Sequence, residues 1–141
     1  MTTRILFRLL LIFTLLVPMT SCNRHGRAIE AMVEELNSPI FRAKEAKTGL
    51  FDDSKAEIKG NQLIISFLCR PFINLAQIQH EDLSELEESA VEEFRANLVN
   101  DKFKEGMEAL SHEKMTILLV WQDVNGFSIK IPIDPEKVLL T

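Results

Sequence analysis

The sequence is short of most features that mark a familiar active site. It has five glycines in 141 residues, and none stands in a phosphate-cradling loop. No serine sits in a Gly-x-Ser-x-Gly elbow, the strained turn that exposes a hydrolase nucleophile. The three histidines, His25, His80 and His112, fall in separate non-strand stretches, with no His-x-x-x-His or Cys-x-x-Cys spacing. A zinc site needs three or four ligands drawn together by the fold, so the sequence predicts no metal, and nothing in it predicts a cofactor. Basic side chains are also in deficit, 16 against 21 acidic ones, for a formal charge of −5. Nucleic-acid binding relies on clustered cations that displace counterions, so that class is excluded. There is equally no polybasic face for anionic lipid. With every nameable catalytic motif missing, no enzyme is expected.

A membrane-spanning run is missing too. Leu9 to Val17 is apolar except for Thr14, and Pro18 ends it. Crossing the hydrocarbon core takes about 20 apolar residues. Arg4 and Arg8 precede this run without an acid, and small residues follow it. A positive start, a short apolar stretch and a small-residue exit are the layout of a secretory signal peptide, here residues 1–21.

The exit, Met19-Thr20-Ser21-Cys22, resembles the lipobox of bacterial lipoproteins. Thr20 and Ser21 match the small residues of that family, and Met19 stands where it usually has Leu. The resemblance implies cleavage before Cys22, a diacylglyceryl group on its sulfur and an acyl chain on the new amino terminus. Each buried CH₂ contributes about 0.8 kcal/mol, so two or more chains anchor stably. The lipid bilayer is then the first expected partner. Residues 22–27 read as an acylated polar tether. Asn23 replaces the Asp that can signal inner-membrane retention in that family, and Arg24 and Arg27 are basic where one bacterial group carries surface-export acids. The resemblance therefore implies an outer-membrane protein facing the periplasm.

Removing residues 1–21 takes away two of the basic residues and no acid. This leaves 120 residues with 14 basic and 21 acidic side chains, a charge of −7. That length suits one domain, residues 28–141, with a real core. With Cys22 acylated, Cys69 has no partner for an intramolecular disulfide. It lies in the apolar run LIISFLCR and reads as a small buried hydrophobe.

Within the body, Ile29, Met32, Val33 and Leu36 form one stripe of an amphipathic helix over residues 27–37. Pro39 disfavours helix at Ser38 and ends it, and a polar passage runs on to Gly49. Lys55–Lys59 and Gln62–Arg70 read as strands joined at Gly60-Asn61, the second an interior strand closed by Pro71. Leu83, Leu86, Ala90, Val91, Phe94 and Leu98 mark the clearest helix, with Asp82 and Glu85 as a capping box. Asn100-Asp101 breaks it, and Phe103, Met107 and Leu110 continue helical spacing past Gly106. Lys114–Asp123 and Phe127–Ile133 alternate as a second hairpin around Asn125-Gly126, with Pro132 placing the last strand at an edge. The economical assembly is α+β: a four-stranded antiparallel sheet of two hairpins with helices packed on one face, in the order α-β-β-α(α)-β-β. That order resembles small α+β bacterial lipoproteins, a likeness that implies no activity.

Two side-chain groups invite a site and do not make one. Glu81, Asp82, Glu85, Glu87, Glu88, Glu92 and Glu93 crowd one helix, which splays carboxylates outward, whereas calcium loops converge their oxygens from a tight turn. His80-Glu81-Asp82 and His112-Glu113 lie far apart in sequence. One further stretch, Gln122-Asp123-Val124-Asn125-Gly126, resembles the Gln-x-Val-x-Gly hairpin loop with which cystatins block papain-like proteases. The resemblance implies inhibition through Gln122, Val124 and Gly126, with Asn125 in the same loop. Cystatins, however, lack helices between their hairpins, and no Pro-Trp second loop follows here. The main expectation is therefore an anchored, periplasm-facing module that binds another envelope component, with the cysteine-protease inhibitor as the alternative.

Overall fold

A computed structural model describes residues 23–78 and 82–140. The leader, Cys22, His80 and Glu81 lie outside the described residues. The elements are α1 (Asn23–Leu36), α2 (Pro39–Ala46), β1 (Phe51–Lys59), β2 (Gln62–Cys69), a 3-10 turn (Leu75–Gln77), α3 (Asp82–Asn97), α4 (Asp101–His112), β3 (Thr116–Gln122), β4 (Ser128–Ile133) and α5 (Pro135–Leu139). Residues 23–27, read above as a tether, are the first turns of α1.

The class is α+β with four strands, as expected, but the sheet is mixed and not antiparallel throughout. Its order is β1-β2-β3-β4. The two hairpins are antiparallel, whereas β2 and β3 run parallel, from Gln62 opposite Thr116 to Leu68 opposite Gln122. A parallel neighbour needs a crossover of a dozen or more residues. The segment holding α3 and α4 supplies it and delivers Thr116 beside Asn61, whose carbonyl accepts its amide at 3.1 Å. β2 and β3 are also nearly continuous apolar runs, LIISFLC and ILLVW, the usual mark of parallel strands.

Ala56, Leu63, Ile65, Ile117, Leu119, Ile131 and Ile133 are buried on one face of the sheet. They meet Ile29, Met32 and Leu36 of α1, Ala90 and Val91 of α3, and Phe103, Met107 and Leu110 of α4 in one cluster. On the opposite face, Asp53, Lys55, Lys59 and Lys130 are solvated around half-buried Ile64, Leu118 and Val120.

Local chemistry sets the element ends. Ser38, with Pro39 at the first helical position, starts α2 instead of closing the passage: its Oγ accepts from Phe41 N at 3.2 Å. Asp134-Pro135 opens α5 in the same way, Oδ1 accepting from Glu136 N at 3.0 Å. Asn100 caps α4 through Lys102 N and Phe103 N. Asn37 caps the sheet edge: its Oδ1 accepts from Ala56 N and its Nδ2 donates to Ala56 O, both at 2.8 Å. This occupies outward-facing groups of edge strand β1, which would otherwise invite another strand. Gly60 adopts φ 60° as the first residue of a two-residue loop, as a type II′ turn requires.

α1 and α4 form the closest helix pair and run antiparallel, with Gly106 against Met32. A Cβ on Gly106 would stand 2.5 Å from Met32 Cβ and 2.6 Å from its Sδ. Rotation can move the sulfur aside, but Cβ is fixed to the backbone. Alanine favours an isolated helix over glycine by about 1 kcal/mol, whereas overpacking costs about 1–3 kcal/mol. The clash wins. Gly106→Ala is therefore expected to lower unfolding free energy by about 1–2 kcal/mol in urea titration. A variant as stable as the parent would show that the two helices separate freely.

Candidate functional site

Between the core face of the sheet and helices α2 and α3 lies a cavity of about 410 Å³, open on one side. The sheet contributes Phe51, Ile65, Phe67, Cys69, Leu119 and Trp121. The passage after β2 adds Ile73, Leu75 and Ile78, and the helices add Phe41, Leu86, Ala90, Phe94 and Phe103. Phe51 stacks obliquely on Phe67 with centroids 4.8 Å apart, which fixes an aromatic floor. Polar groups reach the cavity from α2, the turn after it and α3: Glu45, Thr48, Ser89, Glu93 and Asn97. Thr48, Leu50, Ser89 and Glu93 are exposed and mark the mouth.

Protein interiors are normally packed like organic crystals. A dry, closed void of this size would cost on the order of 10 kcal/mol at 24 cal/mol per Å³, as much as the whole stability of a typical domain. The opening relieves that cost by admitting solvent or a ligand. A concave, mainly apolar space with a few polar groups on one side, in the range of roughly 300–1,000 Å³, is the usual form of a small-molecule site.

The walls are tied in place by side chains. Arg70, just past β2, donates Nη2 to Ala46 O at the end of α2 (3.3 Å) and lies 3.6 Å from Asp52 through Nε. A guanidinium at a helix C-terminus complements the dipole, and here it shares a carbonyl that also accepts from Gly49 N at 3.2 Å. Lys44 Nζ reaches Asn97 Oδ1 at 3.3 Å and spans α2 to α3. Asp123 is buried, and its carboxylate accepts from Leu75 N at 3.1 Å, Asn125 N at 3.0 Å and Phe127 N at 2.9 Å. Hydrogen bonds to a charged acceptor contribute about 1.5–3 kcal/mol each, so Asp123 fixes both the β3–β4 loop and the 3-10 turn that lines the cavity.

The Gln122–Gly126 stretch thus has its shape from Asp123, one of the two residues that the cystatin pattern leaves variable. Gln122 ends β3, and Val124, Asn125 and Gly126 form the exposed tip. Only Gly126 takes a positive φ, 83°, and Asn125 does not, so the turn differs from the Asn-Gly type I′ form. Cys69 is a free, buried thiol lining the cavity, and burial, then the Asp123 charge, push it above its ordinary pKa. It is a hydrophobe there and a poor nucleophile. The structure also brings together His25 and His112, which sequence spacing kept apart: their rings stack 4.0 Å apart beside Glu113.

Glu45 is the unusual group of the cavity. It is 8 % exposed, and its carboxyl is raised above the ordinary glutamate value. Burial is the main cause, repulsion from Glu93 the second, and the Lys44 charge opposes them. The folded state therefore holds this proton more tightly than the unfolded chain. Its contribution is intact below the ordinary carboxylate pKa and is lost as pH rises through the raised one. Glu45→Gln should flatten that decline and melt above the parent at pH 7, with the two converging below pH 4.5. Identical melting profiles at both pH values would remove the penalty assigned to Glu45.

Comparison of the chain with protein-family models, curated proteins and solved structures finds no match. The cavity is therefore the feature from which a function has to be argued.

Proposed function

We propose that this chain is an acylated lipoprotein of the bacterial envelope, anchored through Cys22 and facing the periplasm, whose body binds an apolar small molecule. It is a binding module and not an enzyme. The observation that carries the binding half is the 410 Å³ apolar cavity with its polar mouth. Binding, without catalysis, accords with a lining thiol held protonated by burial. The ligand chemistry follows from the walls: an apolar body against Phe51, Phe67 and Trp121, with a hydrogen-bond-donating or cationic end toward Glu45 and Glu93. A carboxylate-headed ligand would meet two acids of like sign. The anchoring half rests on the leader and on the Met19–Cys22 resemblance. A lipid-tethered body of net acidic charge would meet apolar ligands released from the membrane, or an envelope protein that delivers them.

Each half has its own test. Neutral N-phenyl-1-naphthylamine should bind with a rise in fluorescence, and Ala90→Phe, which fills the cavity, should weaken binding at least tenfold. Unchanged affinity in that variant would place the probe elsewhere and end the cavity reading. Cys22→Ala should leave the unprocessed precursor in the native host, and globomycin should do the same to the parent. A mature, unlipidated parent protein would refute the anchor and leave the cavity reading standing.

A further inference from the structure

We infer that His25, His112 and Glu113 form a binding site for a divalent transition metal of the zinc class, joining the start of α1 to the end of α4. The register of the two helices brings these residues together. α1 and α4 are antiparallel, and the contact of Met32 with Gly106 fixes their alignment. Moving seven residues back along α1 reaches His25, and seven forward along α4 reaches Glu113. The site is therefore set by the helix pair and not by a loose surface meeting.

Adjacent helical residues do not normally face the same way, yet His112 and Glu113 both serve here. Glu113 is the C-cap, with φ −82° and ψ 3°, and Lys114 turns the chain at φ 54°. Bonds from Met115 N to Leu110 O (2.9 Å) and Lys114 N to Ser111 O (3.1 Å) close the helix end as a Schellman motif. This release from helical geometry brings the carboxylate to the edge of the stacked imidazoles, within reach of both Nδ1 atoms. Glu113 Oε1 lies 3.4 Å from His25 Nδ1 and 3.6 Å from His112 Nδ1. One donor atom from each of the three side chains falls within 4.8 Å of the others.

Those separations match a metal polyhedron. With metal–donor distances of about 2.0–2.1 Å, two donors on a tetrahedral ion stand about 3.4 Å apart. The Glu113–His25 distance of 3.4 Å meets that value and the Glu113–His112 distance of 3.6 Å lies just outside it, and rotation of exposed His112 out of the ring stack brings its nitrogen onto the same point. Imidazole nitrogen and carboxylate oxygen are donors that zinc takes, and three protein ligands leave a fourth position for water. Side-chain exposures of 34 %, 67 % and 36 % for His25, His112 and Glu113 leave an entry path from solvent. The site is separate from the cavity, whose lining includes none of these residues.

The test is isothermal titration of the full chain, purified in detergent, with zinc chloride at pH 7.5. One zinc should bind per chain, and His25→Ala and His112→Ala should each weaken binding at least tenfold, while Glu57→Gln on β1 leaves it unchanged. Cobalt substitution should give the intense visible absorption of a tetrahedral ion, a readout that packing of two stacked rings would not produce. Absence of saturable zinc binding, or equal affinity in the parent and both histidine variants, would overturn the site. Should an alanine variant lose helical circular dichroism, His25→Gln and the parent's cobalt spectrum decide: an octahedral spectrum or unchanged binding rejects it.

Discussion

The parallel pairing of β2 with β3 is the constraint from which the rest of the architecture follows. Strand β2 leaves the sheet at Cys69, and β3 must begin level with Gln62, so the chain has to travel back the length of a strand. α3 and α4 make that return, and their apolar stripes close over the sheet face that carries Leu63, Ile65, Ile117 and Leu119. α1 then packs antiparallel to α4, and Asn37 at its end ties β1 through Ala56. One pairing decision thus fixes the crossover, the covered face and the partner of the first helix.

The same geometry leaves the cavity. α1 and α4 approach closely because Gly106 has no Cβ, and the core beneath them is solid: Met32, Met107, Leu110 and Ile117 are wholly buried. α2 and α3 are instead bridged by the long Lys44–Asn97 contact and held at their ends by Arg70 and the Asp123-pinned turn. These walls are joined by polar contacts at the periphery and not by apolar packing across the space between them. Burying the Glu45 carboxyl beside Glu93 adds a penalty that a fold selected for stability alone has no reason to keep. Perturbed carboxyls in a cleft are the kind of group on which a binding proposal can rest.

Periodicity made the long elements legible. The stripes of α1 and α3, the interior position of β2, the edge position of β4 and both hairpins follow from 3.6- and 2-residue patterns and from turn residues. Three features were hidden, each for a physical reason. α2 and α5 are short, and Ser38-Pro39 reads as a helix end although a capping residue before proline also begins a helix; Asp134-Pro135 starts α5 in the same way. The parallel register was masked because hairpin signals describe only neighbours in sequence, while the apolar continuity of β2 and β3 carried the missing clue. The cavity and the His25–Glu113 cluster depend on which elements become neighbours, and no local pattern encodes that. Asp123 takes its structural role from Leu75 N, a donor 48 positions away in sequence, which no local pattern announces.

α4 connects the two sites on opposite ends of one rigid rod. Phe103 in its first turn lines the cavity and stacks on Phe94 of α3, with ring centroids 5.7 Å apart, while His112 and Glu113 close its far end against His25. Between them Gly106 sits hard against Met32. Close-packed helix pairs do not deform continuously, because sliding one past the other breaks the interdigitation of every side chain at once. A cross-link at the His25–Glu113 end would therefore act on the α1–α4 pair as a unit and restrict the freedom of Phe103 at the cavity wall. The cavity wall with the least core of its own is α2, a helix of 8 residues held by peripheral polar contacts. Low local burial is what permits a segment to open without unfolding the rest, and here it coincides with the wall that carries Glu45.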